Sequence, residues 1–231
     1  MKKKLREISP WKILGTLSQK GPGPGNMGVI IARAGLGKTA CLVHLGLEKL
    51  LGGEKIVHVS LEGTPDKILS YYDILFYDIL KAAGNNNQEE ISSLLQRNRV
   101  VLAYLNQSFQ IERLKENLDN LSKQMDFVPD TLIVDGLEFG DAPREVFEEF
   151  QQIAQGIEAE IWFSALAHRH ITEVNERGIP YPCNNIDELF ALIAQLEPVG
   201  SGVVLKILKD HEVPVPPDAS VLLDTKTLLP K

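Results

Sequence analysis

The stretch ARAGLGKTA, Ala32 to Ala40, lies between a short β-branched run, Gly28 to Ala32, and a leucine-striped segment, Lys38 to Leu51. Its second half, Gly35-Leu36-Gly37-Lys38-Thr39, completes the pattern G-x-x-x-x-G-K-[ST], with Ala32 in the place of the first glycine. The spacing has a chemical reason. Small residues let successive backbone N–H groups between Ala34 and Ala40 curl round a phosphate, and a helix beginning at Lys38 adds the positive end of its dipole. The Lys38 ammonium then reaches the β- and γ-phosphates, and the Thr39 hydroxyl holds Mg²⁺. The expected ligands are therefore ATP and Mg²⁺, with Ala34, Gly35, Leu36, Gly37, Lys38, Thr39 and Ala40 as the binding residues. A second glycine pattern, GxGxxG at Gly23, Gly25 and Gly28, precedes the strand instead of following it, so GPGPGNMG reads as a lead-in loop.

Outward from this stretch, short apolar runs alternate with helical periodicity. Lys55 to Ser60, Val100 to Leu105, Thr131 to Asp135 and Glu160 to Leu166 read as further strands. Pro65 opens a helix whose buried face is Ile68, Leu69, Tyr72, Leu75, Phe76, Ile79 and Leu80; others span Ile111 to Gln124 and about Pro143 to Ile157. Gly84 to Gln88 is a polar loop. The two YDIL copies at Tyr72 and Tyr77 stand too close to be an architectural repeat. Phe190 to Leu196, Gly202 to Leu208 and Val221 to Leu223 form a closing meander. This order predicts an α/β fold: a mostly parallel sheet with helices on both faces and antiparallel strands at the C-terminal end. Residues 1–26 read as an N-terminal segment and 27–231 as one domain.

Leu132-Ile133-Val134-Asp135 is an apolar strand ending in a carboxylate, suited to the magnesium shell, so Thr39 and Asp135 form the expected metal pair. Hydrolysis needs a group that orients and polarises water. Glu62, just past the second strand in HVSLEGTPDKI, and Glu138, three residues beyond Asp135, are the two candidates. His168 and His170 lack a third ligand at useful spacing. Cys41 reads as a small packed residue, and His44 and His58 as packed or partly exposed ones.

ARAGLGKTA and VSLEGTPDKI together resemble the RecA-like ATPase domain of DnaB-type replicative helicases, and are similar to KaiC-type proteins. In that family alanine commonly opens the loop, as Ala32 does here. The resemblance implies a RecA-like P-loop NTPase fold and an ATPase with Glu62, in Ser60-Leu61-Glu62, as catalytic base. FSALAHRH, Phe163 to His170, is similar to the next strand, although the family's usual glutamine is Ala165 here. Such ATPases form rings in which a lysine and an arginine on a late strand complete a neighbour's site. The resemblance gives Lys209 that catalytic role, while His211 stands where the arginine is expected and lacks its bidentate fork.

Composition restricts the partners. With 24 Lys+Arg against 31 Asp+Glu the net charge is −7, which disfavours broad phosphate neutralisation. The two loops expected to face nucleic acid in a motor, Gly136 to Glu145 and Ile171 to Leu189, are both acidic, with only Arg144 and Arg177 as cations. The extra N-terminal domain of full-length helicases is not seen. The basic cluster Lys2-Lys3-Lys4 and Arg6 runs into Ile8 to Lys12 without the apolar core of a signal peptide, and no run approaches a membrane span. Two cysteines, Cys41 and Cys183, support neither a disulfide scaffold nor a four-thiolate zinc site, consistent with a reducing cytoplasmic location. The leading expectation is an ATP-binding, ATP-hydrolysing protein whose nucleotide state controls self-assembly or a protein partner. A DNA-dependent helicase-type motor subunit and a nucleotide-gated scaffold with negligible turnover are the alternatives.

Overall fold

The computed structural model describes residues 5, 8–17, 20–84, 89–104 and 108–231. The basic cluster at Lys2, Lys3, Lys4 and Arg6, the polar loop beyond Gly84 and the end of the third predicted strand at Leu105 lie outside them.

Eight strands build one sheet: β1 (Met27–Arg33), β2 (Ile56–Ser60), β3 (Arg99–Ala103), β4 (Thr131–Asp135), β5 (Glu160–Ala167), β6 (Leu192–Val199), β7 (Gly202–Asp210) and β8 (Ser220–Leu223). Their spatial order is β3-β2-β4-β5-β1-β6-β7-β8. The strands from β3 to β6 pair in parallel, and β7 and β8 close the sheet antiparallel. The expected α/β class with its antiparallel C-terminal edge is therefore present.

Side-chain alternation explains why both faces are covered. Ile30, Ala32, Ile133, Trp162, Leu192 and Ala194 point into one hydrophobic cluster. Their neighbours Val29, Ile31, Leu132, Val134, Ile161, Phe163 and Ile193 point into the other. Helices α1 (Lys38–Gly52), α2 (Pro65–Ala82) and α3 (Glu89–Arg97) serve the first face, and α4 (Ile111–Met125) and α5 (Arg144–Gly156) the second. The α2 start follows local chemistry: Thr64 caps the Lys67 N–H at 3.4 Å and Pro65 occupies the first turn. α1 stops at Gly53, whose φ of +96° lets its N–H return to Leu50 and Lys49.

The N-terminal segment is part of the same core. A 3₁₀ helix, Pro10–Thr16, is capped by Ser9 and buries Trp11 edge-on against Trp162, with ring centroids 5.0 Å apart. The Trp11 indole donates to the Cys41 carbonyl of α1 at 2.9 Å. Cys41 and Cys183 are free and buried, and burial raises both thiol pKa values, so Cys41 is a packed residue. Among the described residues, no helix is long and apolar enough to cross a membrane.

Candidate functional site

In the sheet order, the chain leaves β1 toward β2 on one side and returns from β5 across β1 to β6 on the other. Ligands of open α/β sheets lie beyond the carboxyl ends of strands at such a reversal. The Ala34-to-Gly37 loop stands at that position. Gly35 and Gly37 take φ of +79° and +88°, while Ala34 and Leu36 do not turn positive. This alternation is the backbone pattern that turns successive N–H groups toward one centre. Gly37 caps α1 without a side-chain hydrogen bond, and the first helical bond runs from Cys41 N–H to Gly37 O at 2.8 Å. The leading amides of α1 thus lack a side-chain acceptor, and an anion is the group that such an end accepts.

Across from the loop, β4 delivers Asp135, 7% exposed. Thr39 Oγ1 donates to Asp135 Oδ2 at 2.7 Å, joining residues far apart in sequence. The other oxygen, Oδ1, accepts from Ser164 Oγ at 2.6 Å, and Ser164 Oγ in turn accepts from the Gly136 N–H at 3.2 Å. A hydroxyl and a carboxylate side by side are the hard oxygen donors that Mg²⁺ takes, alongside water and substrate oxygens. Ser164 was not singled out by sequence. It is the one hydroxyl in an apolar strand, but its meaning depends on β5 lying next to β4.

Glu62 is held at the same place by backbone. The Leu61 N–H donates to Asp135 O at 2.9 Å, which extends the β2–β4 pairing by one residue. Gly136 beside it has φ of +89°, and a Cβ there would stand 2.8 Å from Glu62 Cγ, so only glycine leaves the carboxylate its room. The half-buried Lys38 lies within electrostatic reach of Asp135, Glu62 and Glu138, in that order of influence. Burial lowers its pKa, and the three carboxylates oppose that drop. Lys38, Thr39, Glu62 and Asp135 are therefore brought together, and Glu138 acts on Lys38 less strongly than Glu62 does.

Lys209 is not among them. It pairs with Ile193 early in β6, and Asp210 pairs with Leu192 at that strand's start. Both stand at the amino-terminal end of β6, away from the carboxyl ends of the parallel strands where the loop lies. Lys209 is 8% exposed, and its ammonium donates to Asp187 O at 3.0 Å. The neighbouring His211 ring contacts Asp210 Oδ1 at 2.9 Å and Pro22 O at 3.1 Å. His168 and His170 lie with ring centroids 5.6 Å apart, and no group of three or more metal-ligating side chains gathers among the described residues.

Beneath Asp135, the buried His58 places Nδ1 3.1 Å from the Tyr72 hydroxyl, while the Arg99 guanidinium lies over the Tyr72 ring. Burial holds the imidazole pKa down to about 4; Asp135 pulls it up and Arg99 presses it down further. The unfolded chain, near 6.5, therefore takes up the proton first as pH falls. The stability contributed by neutral His58 is whole above about pH 6.5 and drains away toward pH 4. A His58→Gln variant should lose less melting temperature than wild type across that window. Equal losses in thermal melts would show that His58 is not the group responsible.

A comparison with protein-family models finds no match to this chain, and a comparison with curated proteins finds none either.

Proposed function

We propose that the chain is a RecA-like P-loop ATPase, similar to the ATPase domains of DnaB-type helicases and KaiC-type proteins, whose nucleotide state controls self-assembly or a protein partner. The observation that carries this reading is the 2.7 Å hydrogen bond between Thr39 and Asp135, which sets the end of β4 against the first turn of α1 beside Lys38. In this reading the amides from Ala34 to Ala40 hold the phosphates and the Lys38 ammonium compensates their charge. Thr39 and Asp135 would hold Mg²⁺, which, when bound, neutralises charge on the β- and γ-phosphate oxygens. Glu62 takes a proton from water as its oxygen forms a bond to the γ-phosphorus. The bond from that phosphorus to the β–γ bridging oxygen breaks, and ADP and phosphate leave.

Calorimetry with ATP, with and without Mg²⁺, tests the reading: Mg²⁺-dependent uptake is expected, and no uptake in either condition removes it. Ser164 sharpens the test, because losing its bond to Asp135 frees one carboxylate oxygen to reorient. Ser164→Ala should raise the Mg²⁺ concentration needed for nucleotide binding roughly 10–100-fold. An unchanged Mg²⁺ requirement would show that Asp135 needs no such support.

The DNA-dependent motor has one observation in its favour. Arg33 and Arg169 line one cleft of about 350 Å³ beside the loop, with His168 and Gln195, although Glu173 and Glu197 line it too. Against it, Arg144 is tied to Glu148 and Glu188, and Arg177 to Asp187, so the cations of the two acidic loops are already engaged. ATPase rates with and without single-stranded DNA at low salt separate the two, since a motor is stimulated.

A further inference from the structure

The end of the chain reaches the glycine loop. After β8, the Asp224 carboxylate accepts the N–H groups of Lys226 at 2.9 Å and Thr227 at 3.1 Å. Backbone bonds from Leu228 N–H to Asp224 O and from Asp224 N–H to Leu229 O, both 2.9 Å, close a compact turn. Two contacts fasten that turn to the first half of α1. His44 Nε2 lies 2.8 Å from the Thr227 carbonyl; because a carbonyl only accepts, this ring nitrogen carries the hydrogen. Leu228, 4% exposed, places its Cδ1 2.8 Å from where a Cβ on Gly37 would stand. The side chain is thus seated on the bare backbone of the residue that ends the loop and caps α1. Leu228 itself holds φ of +53°, an uncommon value for a branched side chain, and the turn's hydrogen bonds keep it there.

Gly37, like Gly35, has little intrinsic preference for one backbone well, since glycine enters left- and right-handed regions alike, but of the two only Gly37 has a side chain, that of Leu228, seated on it. An anion site made of amides grips well only when those amides are aimed before the anion arrives. We propose that Leu228 is a positioning residue for the loop: seated on Gly37, it holds the left-handed turn that aims the loop amides at a phosphate chain. The proposal rests on the reading of this loop as the triphosphate site.

The test measures binding of Mg²⁺–ATP and of Mg²⁺–tripolyphosphate, which has no base or ribose, to four proteins by calorimetry. Leu228→Ala should weaken both ligands by a similar factor, roughly tenfold, and Leu228→Val should weaken both by less. Leu118→Ala, buried on the other face of the sheet, should lower the melting temperature while leaving both affinities unchanged. Wild-type affinity in the Leu228 variants would overturn the proposal. So would a loss confined to ATP, which would mean contact with base or ribose, or an equal loss in Leu118→Ala, which would mean general loosening. If Leu228→Ala does not fold, Leu228→Val carries the same comparison. Failure of the wild-type protein to bind either ligand would instead remove the triphosphate reading itself.

Discussion

Glutamine in place of Glu62 should lower ATP turnover roughly 10²–10⁴-fold, the range lost when a positioned general base is removed, and should leave Mg²⁺–ATP binding in place. The substitution keeps the side chain's shape and removes its negative charge and its ability to take a proton. Glu62 is exposed, so the fold has little stake in its charge. Its place comes from the Leu61-to-Asp135 backbone bond and the bare Gly136, neither of which the substitution touches. Single-turnover hydrolysis with bound ATP is the measurement, because it reads the chemical step without product release. Turnover that survives Glu62→Gln and collapses in Glu138→Gln would transfer the role to Glu138, the weaker of the two influences on Lys38.

Alanine at Lys38 should weaken Mg²⁺–ATP binding about 100-fold. A hydrogen bond to a charged group contributes about 1.5–3 kcal/mol, and each 1.4 kcal/mol is a factor of ten in affinity. The loss has a second source in this protein. Asp135, Glu62 and Glu138 all act on Lys38, and without its ammonium a Mg²⁺–triphosphate would meet the three carboxylates with that compensating charge removed. Titration calorimetry of the variant decides the matter, and an unchanged affinity would show that the loop is not where the phosphates go.

Much of the scaffold is legible in the chain because each element buries a periodic face. All eight strands and α1, α2, α4 and α5 follow from apolar spacing and from breakers such as Gly53 and Pro65. Helix α3 does not, although Ile91, Leu94 and Leu95 stand at i, i+3 and i+4, because nine residues next to a polar stretch span too few turns for that spacing to stand out. Strand order is a different kind of fact. Nothing local in Thr131–Asp135 says that its neighbours are β2 and β5, and so nothing local identifies Ser164 as the partner of Asp135. The same holds for Leu228, an unremarked leucine near the end of the chain until the fold sets it on Gly37. Lys209 illustrates the converse. Its type and strand could be read, but only the β6–β7 register shows it standing at the opposite end of the strands from the loop.

The pairing of β1 also bears on how the chain is made. Met27 lies beside Ile161 and Gly28 beside Leu192, so β1 has no sheet partner until β5 and β6, far later in the sequence, have been made. Until then its Val-Ile-Ile run is an unpaired apolar strand, a template for wrong pairing. Contacts this remote in sequence slow folding and lengthen exposure to aggregation, so yield on expression should depend on temperature and on chaperone supply more than native stability alone suggests.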